Sequence, residues 1–149
     1  MDQDQALAIL KSGRNTFLTG SAGTGKTYVL NQYIKYLKAR RIPVSITAST
    51  GIAATHLEGT TIHAWSGIGI KDALSPRQLR DLKTKKYLKK HMEKTKVLII
   101  DEISMLHARQ LDLVNQVIRS FRESEEPFGG LQLVLCGDFF QLPPIGDST

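Results

Sequence analysis

Asn15-Thr16-Phe17-Leu18-Thr19-Gly20-Ser21-Ala22-Gly23-Thr24-Gly25-Lys26-Thr27 carries more of the fold than any other stretch of this 149-residue chain. Asn15 to Thr19 reads as a short strand. It runs straight into Gly20 to Thr27, which fits G-x-x-x-x-G-K-[ST]. Beyond the loop, Val29, Leu30, Tyr33, Ile34 and Leu37 recur at helical spacing, so the loop joins a strand to a helix. That is the setting in which such a loop holds phosphate. Glycines let the backbone turn with positive φ and bring its N–H groups around the anion, and the helix aims its positive end at the same place. Gly20, Ser21, Ala22, Gly23, Thr24, Gly25, Lys26 and Thr27 together read as a nucleotide cradle. Lys26 is placed to reach the β- and γ-phosphates, and the Thr27 hydroxyl to ligate Mg²⁺.

Working outward, the elements alternate. Ala6, Leu7, Ile9 and Leu10 suggest a short helix that Asp2 caps and Gly13 ends. Pro43 precedes a second strand, Val44 to Ala48, and Gly51 to Leu57 reads as one or two helical turns. Thr60 to Ile70 reads as loop or short extended structure, and residues 75–93 as one or two helices starting at Ser75-Pro76. Val97-Leu98-Ile99-Ile100 is a continuous apolar run, as in a strand buried on both faces. Leu106, Leu111, Val114, Val117, Ile118 and Phe121 mark a long amphipathic helix closed near Pro127 and Gly129-Gly130, and Leu131 to Cys136 is a fourth buried strand. Strands alternating with helices imply an α/β fold with a parallel sheet flanked by helices, in one domain over 1–149.

Composition narrows the class. Hydrophobic residues make up 41% and charged residues 23%, which excludes a disordered chain, a collagen-like repeat and a coiled coil. No apolar run approaches the roughly 18–20 residues that span a bilayer, so no membrane partner is expected. The polar N-terminus is neither a signal nor a transit peptide, and one cysteine, Cys136, forms no internal disulfide. Both point to a reducing, intracellular compartment, the cytoplasm if the source is bacterial. Net charge is +6, yet Lys71 to Lys96 alone hold ten Lys/Arg against three acids. That segment is either an electrostatic footprint for nucleic acid or a solvated helix face.

Asp101-Glu102 leaves the strand at 97–100, so both carboxylates emerge at the C-terminal edge of the sheet, where such folds bind ligands. Asp101 is placed to hold Mg²⁺ through its water shell and Glu102 to take a proton from an attacking water. A transferase using a substrate hydroxyl has no need of that second acid. Gln141, in the loop after the fourth strand, suits a residue that senses the γ-phosphate or positions water. The acidic pair and this polar sensor together predict that strand 131–136 separates strands 15–19 and 97–100.

GSAGTGKT, TASTGIAATHLEGTTIHAWSGIGI, VLIIDEISM and GDFFQLPP occur in this order and together resemble the ATP-dependent DNA helicases of the Pif family, in helicase superfamily one. The resemblance covers nearly the whole chain and is weakest over 71–95. It implies a RecA-like P-loop NTPase using ATP and Mg²⁺, with Lys26, Asp101, Glu102 and Gln141 as the catalytic set. Gln3 matches the spacing of the glutamine that contacts adenine in such helicases, with Gln5 a close competitor. TASTGIAA and TTIHAW resemble the family's single-strand-contacting segments. Ser49, Thr50 and the N–H groups around Gly51 would then hold a phosphate, and His63 and Trp65 would stack on a base or sugar. By residue type alone, the first reading of Trp65 is a half-buried core aromatic and of His63 a satisfied imidazole.

Motors of this class place ATP between two RecA-like domains, the second supplying arginines to the γ-phosphate. No arginine of this chain falls in a family motif. The chain is therefore expected to be the first motor domain of a longer protein, or a natural truncation, acting as a monomer with single-stranded DNA and a second RecA-like domain as partners. The competing class is a nucleotide-binding module that holds DNA or another partner without turning over ATP. Glu102 and Gln141 argue against it, because a pure binding module needs neither. The resemblance also implies translocation from 5′ to 3′.

Overall fold

The computed structural model describes residues 2–19 and 25–137. Gly20, Ser21, Ala22, Gly23 and Thr24 of the cradle and the sensor Gln141 lie outside them. In chain order the elements are α1 (Gln3–Lys11), β1 (Thr16–Thr19), α2 (Lys26–Ala39), β2 (Val44–Ala48), α3 (Gly51–His56), β3 (Thr60–Thr61) and α4 (Ile62–Ser66). Then follow α5 (Pro76–Lys83), α6 (Lys86–Lys94), β4 (Val97–Asp101), α7 (Ala108–Arg122) and β5 (Gln132–Gly137), with short 3₁₀ turns at Ile103–Met105 and Pro127–Gly130.

The strands form a single sheet in the order β1-β5-β4-β2-β3, with every neighbouring pair parallel. β5 thus separates β1 from β4, as the acidic pair and polar sensor predicted. Because all strands run one way, Thr19, Ala48, Asp101 and Gly137 end on the same edge; Thr19 is in register with Gly137 and Ala48 with Asp101. The continuous apolar run of β4 serves two cores. Leu98 and Ile100 pack with Ile62, Leu88, Val114 and Ile118 on one face, while Val97 and Ile99 pack with Leu10, Leu30, Tyr33 and Leu37 on the other.

Local chemistry explains the helix ends. The Asp2 carboxylate accepts from the Gln5 amide at 2.7 Å, and the Gln5 side-chain oxygen accepts from the Asp2 amide at 3.0 Å. This capping box satisfies two of the donors that a helix start leaves open. Ser75 and Gln78 repeat the device at α5, with Pro76 in the first turn. Arg122 closes α6 from a distance: its guanidinium donates to the carbonyls of Met92 (3.1 Å), Thr95 (3.0 Å) and Gly129 (2.9 Å).

One expectation is corrected in part. Thr60–Thr61 is the short extended piece (β3) and 67–70 lie outside helix and strand, but Ile62–Ser66 forms α4, capped by the Thr61 hydroxyl accepting from the Ala64 amide. Five helical residues are too few to show a 3.6-residue period, so the pattern was not legible. Gly67 ends α4 with φ +81°, and a β-carbon there would fall 2.8 Å from Leu88 Cδ1, so the turn demands glycine and sets α6 against α4.

A buried polar link sets the other face. The Tyr33 hydroxyl donates to Gln132 Oε1 at 2.5 Å, and Gln132 Nε2 donates to the carbonyls of Leu10 (3.1 Å) and Arg14 (2.7 Å). One side chain of β5 thereby fixes α2 and the end of α1. That brings the start of α1 over the start of α2.

Candidate functional site

Gly25 is the N-cap of α2 at φ +88°, and Lys26 and Thr27 are its first helical residues. No side chain caps the start of this 14-residue helix, where its dipole presents the positive end. A β-carbon on Gly25 would lie 2.1 Å from Gln3 Nε2, so the Gln3 amide rests directly on the end of the phosphate loop. Gln5 is instead engaged in the capping box. Tertiary packing thus separates two glutamines that spacing left open.

Asp101 ends β4 on the edge where α2 begins. Its carboxylate accepts from the Glu102 amide at 2.9 Å. Glu102 adopts a left-handed conformation, φ 53° and ψ 50°. The other non-glycine residues of positive φ among those described, Arg41, Glu58, Glu123 and Phe128, lie just past helix ends or inside a 3₁₀ turn, whereas Glu102 directly follows a strand. Such a conformation costs of order 1 kcal/mol or more and turns the chain sharply as it leaves the sheet edge.

Cys136 is fully buried in β5, near the C-terminal edge of the sheet. Burial pushes its thiol well above the ordinary value, the Asp101 carboxylate adds to the rise, and the Lys26 ammonium opposes it. The thiol therefore lies within electrostatic reach of both the lysine that opens α2 and the acid that ends β4. Local sequence puts Cys136 in a buried strand, and its place beside Asp101 follows from the strand order.

The expected DNA segments lie on the same edge, and two of their side chains are already engaged. Ser49 is 6% exposed: its amide donates to the Asp101 carbonyl at 3.1 Å and its hydroxyl to the Glu102 carbonyl at 2.5 Å. It braces β2 against the acidic turn. Thr50 caps α3 by accepting from the Ala53 amide at 3.1 Å, and Gly51 is exposed. His63 is half-buried, with Nε2 at 3.4 Å from Gln110 Oε1. Trp65 departs from the base-stacking expectation. It is 5% exposed and stacked on His91 at 4.9 Å, with His91 Nε2 bonded to the Trp65 carbonyl at 2.6 Å. Its ring is consumed by core packing against α6, a contact 26 residues away that local sequence cannot reveal.

A parallel sheet of this order, with a phosphate loop after its first strand and an acidic pair at the end of its fourth, defines a RecA-like P-loop NTPase. The chain belongs to the PIF1-like helicase family, whose profile matches residues 2–149. It is 66% identical over 146 residues to the ATP-dependent DNA helicase Pif1 of Psychrobacter sp., a match covering 98% of this chain and 22% of that protein. It is 46% identical over 148 residues to the ATP-dependent DNA helicase RRM3 of Saccharomyces cerevisiae, covering 97% of this chain and 20% of the relative. The chain thus spans about a fifth of the length of these relatives. The crystal structure of Pif1 helicase from Candida albicans superposes with TM-score 0.89 at 41% identity, over 98% of this chain and 34% of that one. Pif1 helicase from Bacteroides in complex with ADP-AlF3 and single-stranded DNA gives TM-score 0.81 at 35% identity, over 96% and 33%.

Proposed function

We infer that this chain is the ATP-binding and ATP-hydrolysing half of a DNA helicase that couples hydrolysis to translocation on single-stranded DNA and to duplex unwinding. The observation that carries the reading is the Ser49 brace: the segment expected to meet DNA is hydrogen-bonded to the carbonyl of the acid expected to act on water. A relative of known structure is held with both ADP-AlF3 and single-stranded DNA, which supports the same pairing of ligands.

In this reading the loop Gly20 to Gly25 and the start of α2 cradle the phosphates, Lys26 binds their terminal oxygens and Gln3 contacts the adenine. The residues present fit Mg²⁺: Thr27, a hydroxyl residue, is exposed in the first turn of α2, and Asp101 ends β4 at the C-terminal edge of the sheet. When bound, the ion neutralises charge on the phosphate oxygens. Glu102 accepts the proton of the attacking water, and Gln141 senses the γ-phosphate. Thr50, the amides around Gly51 and His63 contact the DNA strand. A second RecA-like domain supplies the missing arginines, and the protein works as a monomer on DNA inside the cell. No helix among the described residues is long and apolar enough to cross a membrane.

Steady-state ATPase with and without single-stranded DNA, on the full-length protein and on residues 1–149, tests this. DNA should stimulate the full-length protein strongly. The isolated chain should bind Mg-nucleotide weakly and turn over little, because a transition-state arginine is worth about 10³–10⁵ in rate. Comparable DNA-stimulated rates in both would overturn the two-domain reading, and nucleotide binding with no turnover in either would favour the non-motor module.

A further inference from the structure

α5 and α6 carry the charge excess that the nucleotide site does not use. Between Pro76 and Lys94 stand Arg77, Arg80, Lys83, Lys85, Lys86, Lys89, Lys90 and Lys94, all exposed, against Asp81 and Glu93. The arrangement works against the helix that bears it. α6 starts at Lys86 after Lys85, with no acidic residue in its first turn and no side-chain cap, so cations sit at the positive end of its dipole. Lys86, Lys90 and Lys94 then repeat at four-residue spacing, where like charges repel. Stability alone gives no reason for this pattern, whereas a polyanion laid on the face reverses both penalties.

The face is not uniform. Leu88 and Met92 point α6 into the core. Helical spacing puts Lys86, Lys90 and Lys94 on the outer side, with Tyr87 and His91 on the flank beside them. Lys89 lies on the opposite flank and, with Lys83, shares a groove with Glu93 and Glu123 that partly offsets its charge. The Tyr87 flank leads back to the sheet edge. Tyr87 is 61% exposed and meets His91 edge-on at 6.4 Å, and His91 stacks on Trp65 of α4. α4 follows directly on β3, which pairs with Thr47 and Ala48 at the end of β2. An exposed aromatic beside exposed lysines is therefore linked, through His91 and the buried Trp65, to the helix that carries His63.

We propose that the outer face of α6, with Tyr87 as a stacking platform and Lys86 and Lys90 as phosphate contacts, is a second binding surface for single-stranded DNA that extends the path from α4. The aromatic specifies a single strand: an unpaired base offers a π-face that a duplex keeps inside its stack. This rests on the DNA-motor reading above. Its test separates the two.

Fluorescence anisotropy with a labelled oligothymidine, over a salt series, on the full-length protein is the first measurement. Lys86→Glu with Lys90→Glu should weaken binding at least about tenfold near 0.1 M salt. It should also flatten the log–log salt slope by about 1.4, since each single-strand phosphate contact contributes about 0.7. Tyr87→Ala should weaken binding between about five- and a hundredfold, with Tyr87→Phe close to wild type, because stacking and not the hydroxyl is used. Photocrosslinking to 5-iodouracil oligonucleotides, mapped by mass spectrometry, should label Tyr87. Wild-type protein that binds no single-stranded DNA would sink the motor reading itself. Wild-type binding with unchanged affinity and salt slope in these variants, and no crosslink at Tyr87, would overturn the second surface alone. Lost duplex affinity with intact single-strand affinity would overturn it equally.

Discussion

The Ser49 hydroxyl donates to the Glu102 carbonyl at 2.5 Å, joining residues 53 positions apart across the ends of β2 and β4. The Ser49 amide bonds the Asp101 carbonyl as well, so one residue holds the peptides on both sides of the Glu102 α-carbon. A buried side chain in this role is a brace, not a ligand contact. Ser49→Ala should lower stability by about 1 kcal/mol and reduce DNA stimulation of ATPase more than the basal rate. Thermal melts paired with ATPase assays check this. A loss of DNA affinity with unchanged melting temperature would show Ser49 touching DNA directly.

In the proposed mechanism Lys26 and Glu102 act at different moments of the reaction. Lys26→Ala should remove most nucleotide affinity, because in that reading it meets phosphate in the ground state. Glu102→Gln should keep affinity and abolish hydrolysis, because only the proton acceptor is lost. Fluorescent-nucleotide binding alongside phosphate release separates the two, and equal loss of binding in both variants would refute the assignment.

Gln3 lies on Gly25, whereas Gln5 belongs to the α1 cap. Gln3→Ala should raise KM for ATP with little effect on melting temperature. Gln5→Ala should do the reverse, costing about 0.5–1 kcal/mol of stability through the lost cap. Competition between ATP and GTP in the Gln3 variant checks that base recognition is what weakened.

Cys136 gives stability a definite pH dependence. Its thiol is raised in the folded chain from an ordinary value of 9.0, so folding favours the protonated form. The resulting stabilisation is complete below the unfolded value and is lost as pH climbs toward the folded one. Melting temperature should therefore fall between about pH 8 and 10, and less so in Cys136→Ala. Tyr33 is also raised, from 10.0, and adds a decline of the same sign at higher pH. Iodoacetamide should label Cys136 only after unfolding, which is the independent check.

Arg122 donates to carbonyls at the end of α6 and in the turn before β5. Arg122→Met should cost about 2 kcal/mol, since several charge-assisted bonds to partly buried carbonyls are lost. Activity per folded molecule should hold. A variant of full stability and lost ATPase would instead make Arg122 a catalytic arginine.

How far the sequence alone reached follows from the range of each interaction. The phosphate loop, the all-apolar β4, the Asp101-Glu102 pair and the Asp2 and Ser75 caps are local patterns, set by backbone chemistry within a few residues. They were legible, and with them the parallel α/β class. α4 was not, because five residues are shorter than the period that would betray them. Which glutamine meets the loop, whether Trp65 faces solvent and what Ser49 binds were decided by tertiary packing alone. In each case the partner comes from a distant element: α2 over Gln3, His91 under Trp65, Glu102 beyond Ser49. A single sequence shows a side chain's chemistry but not what covers it. The strand order β1-β5-β4 brings Lys26 and Asp101 within electrostatic reach of the buried Cys136, and only the folded sheet creates that neighbourhood.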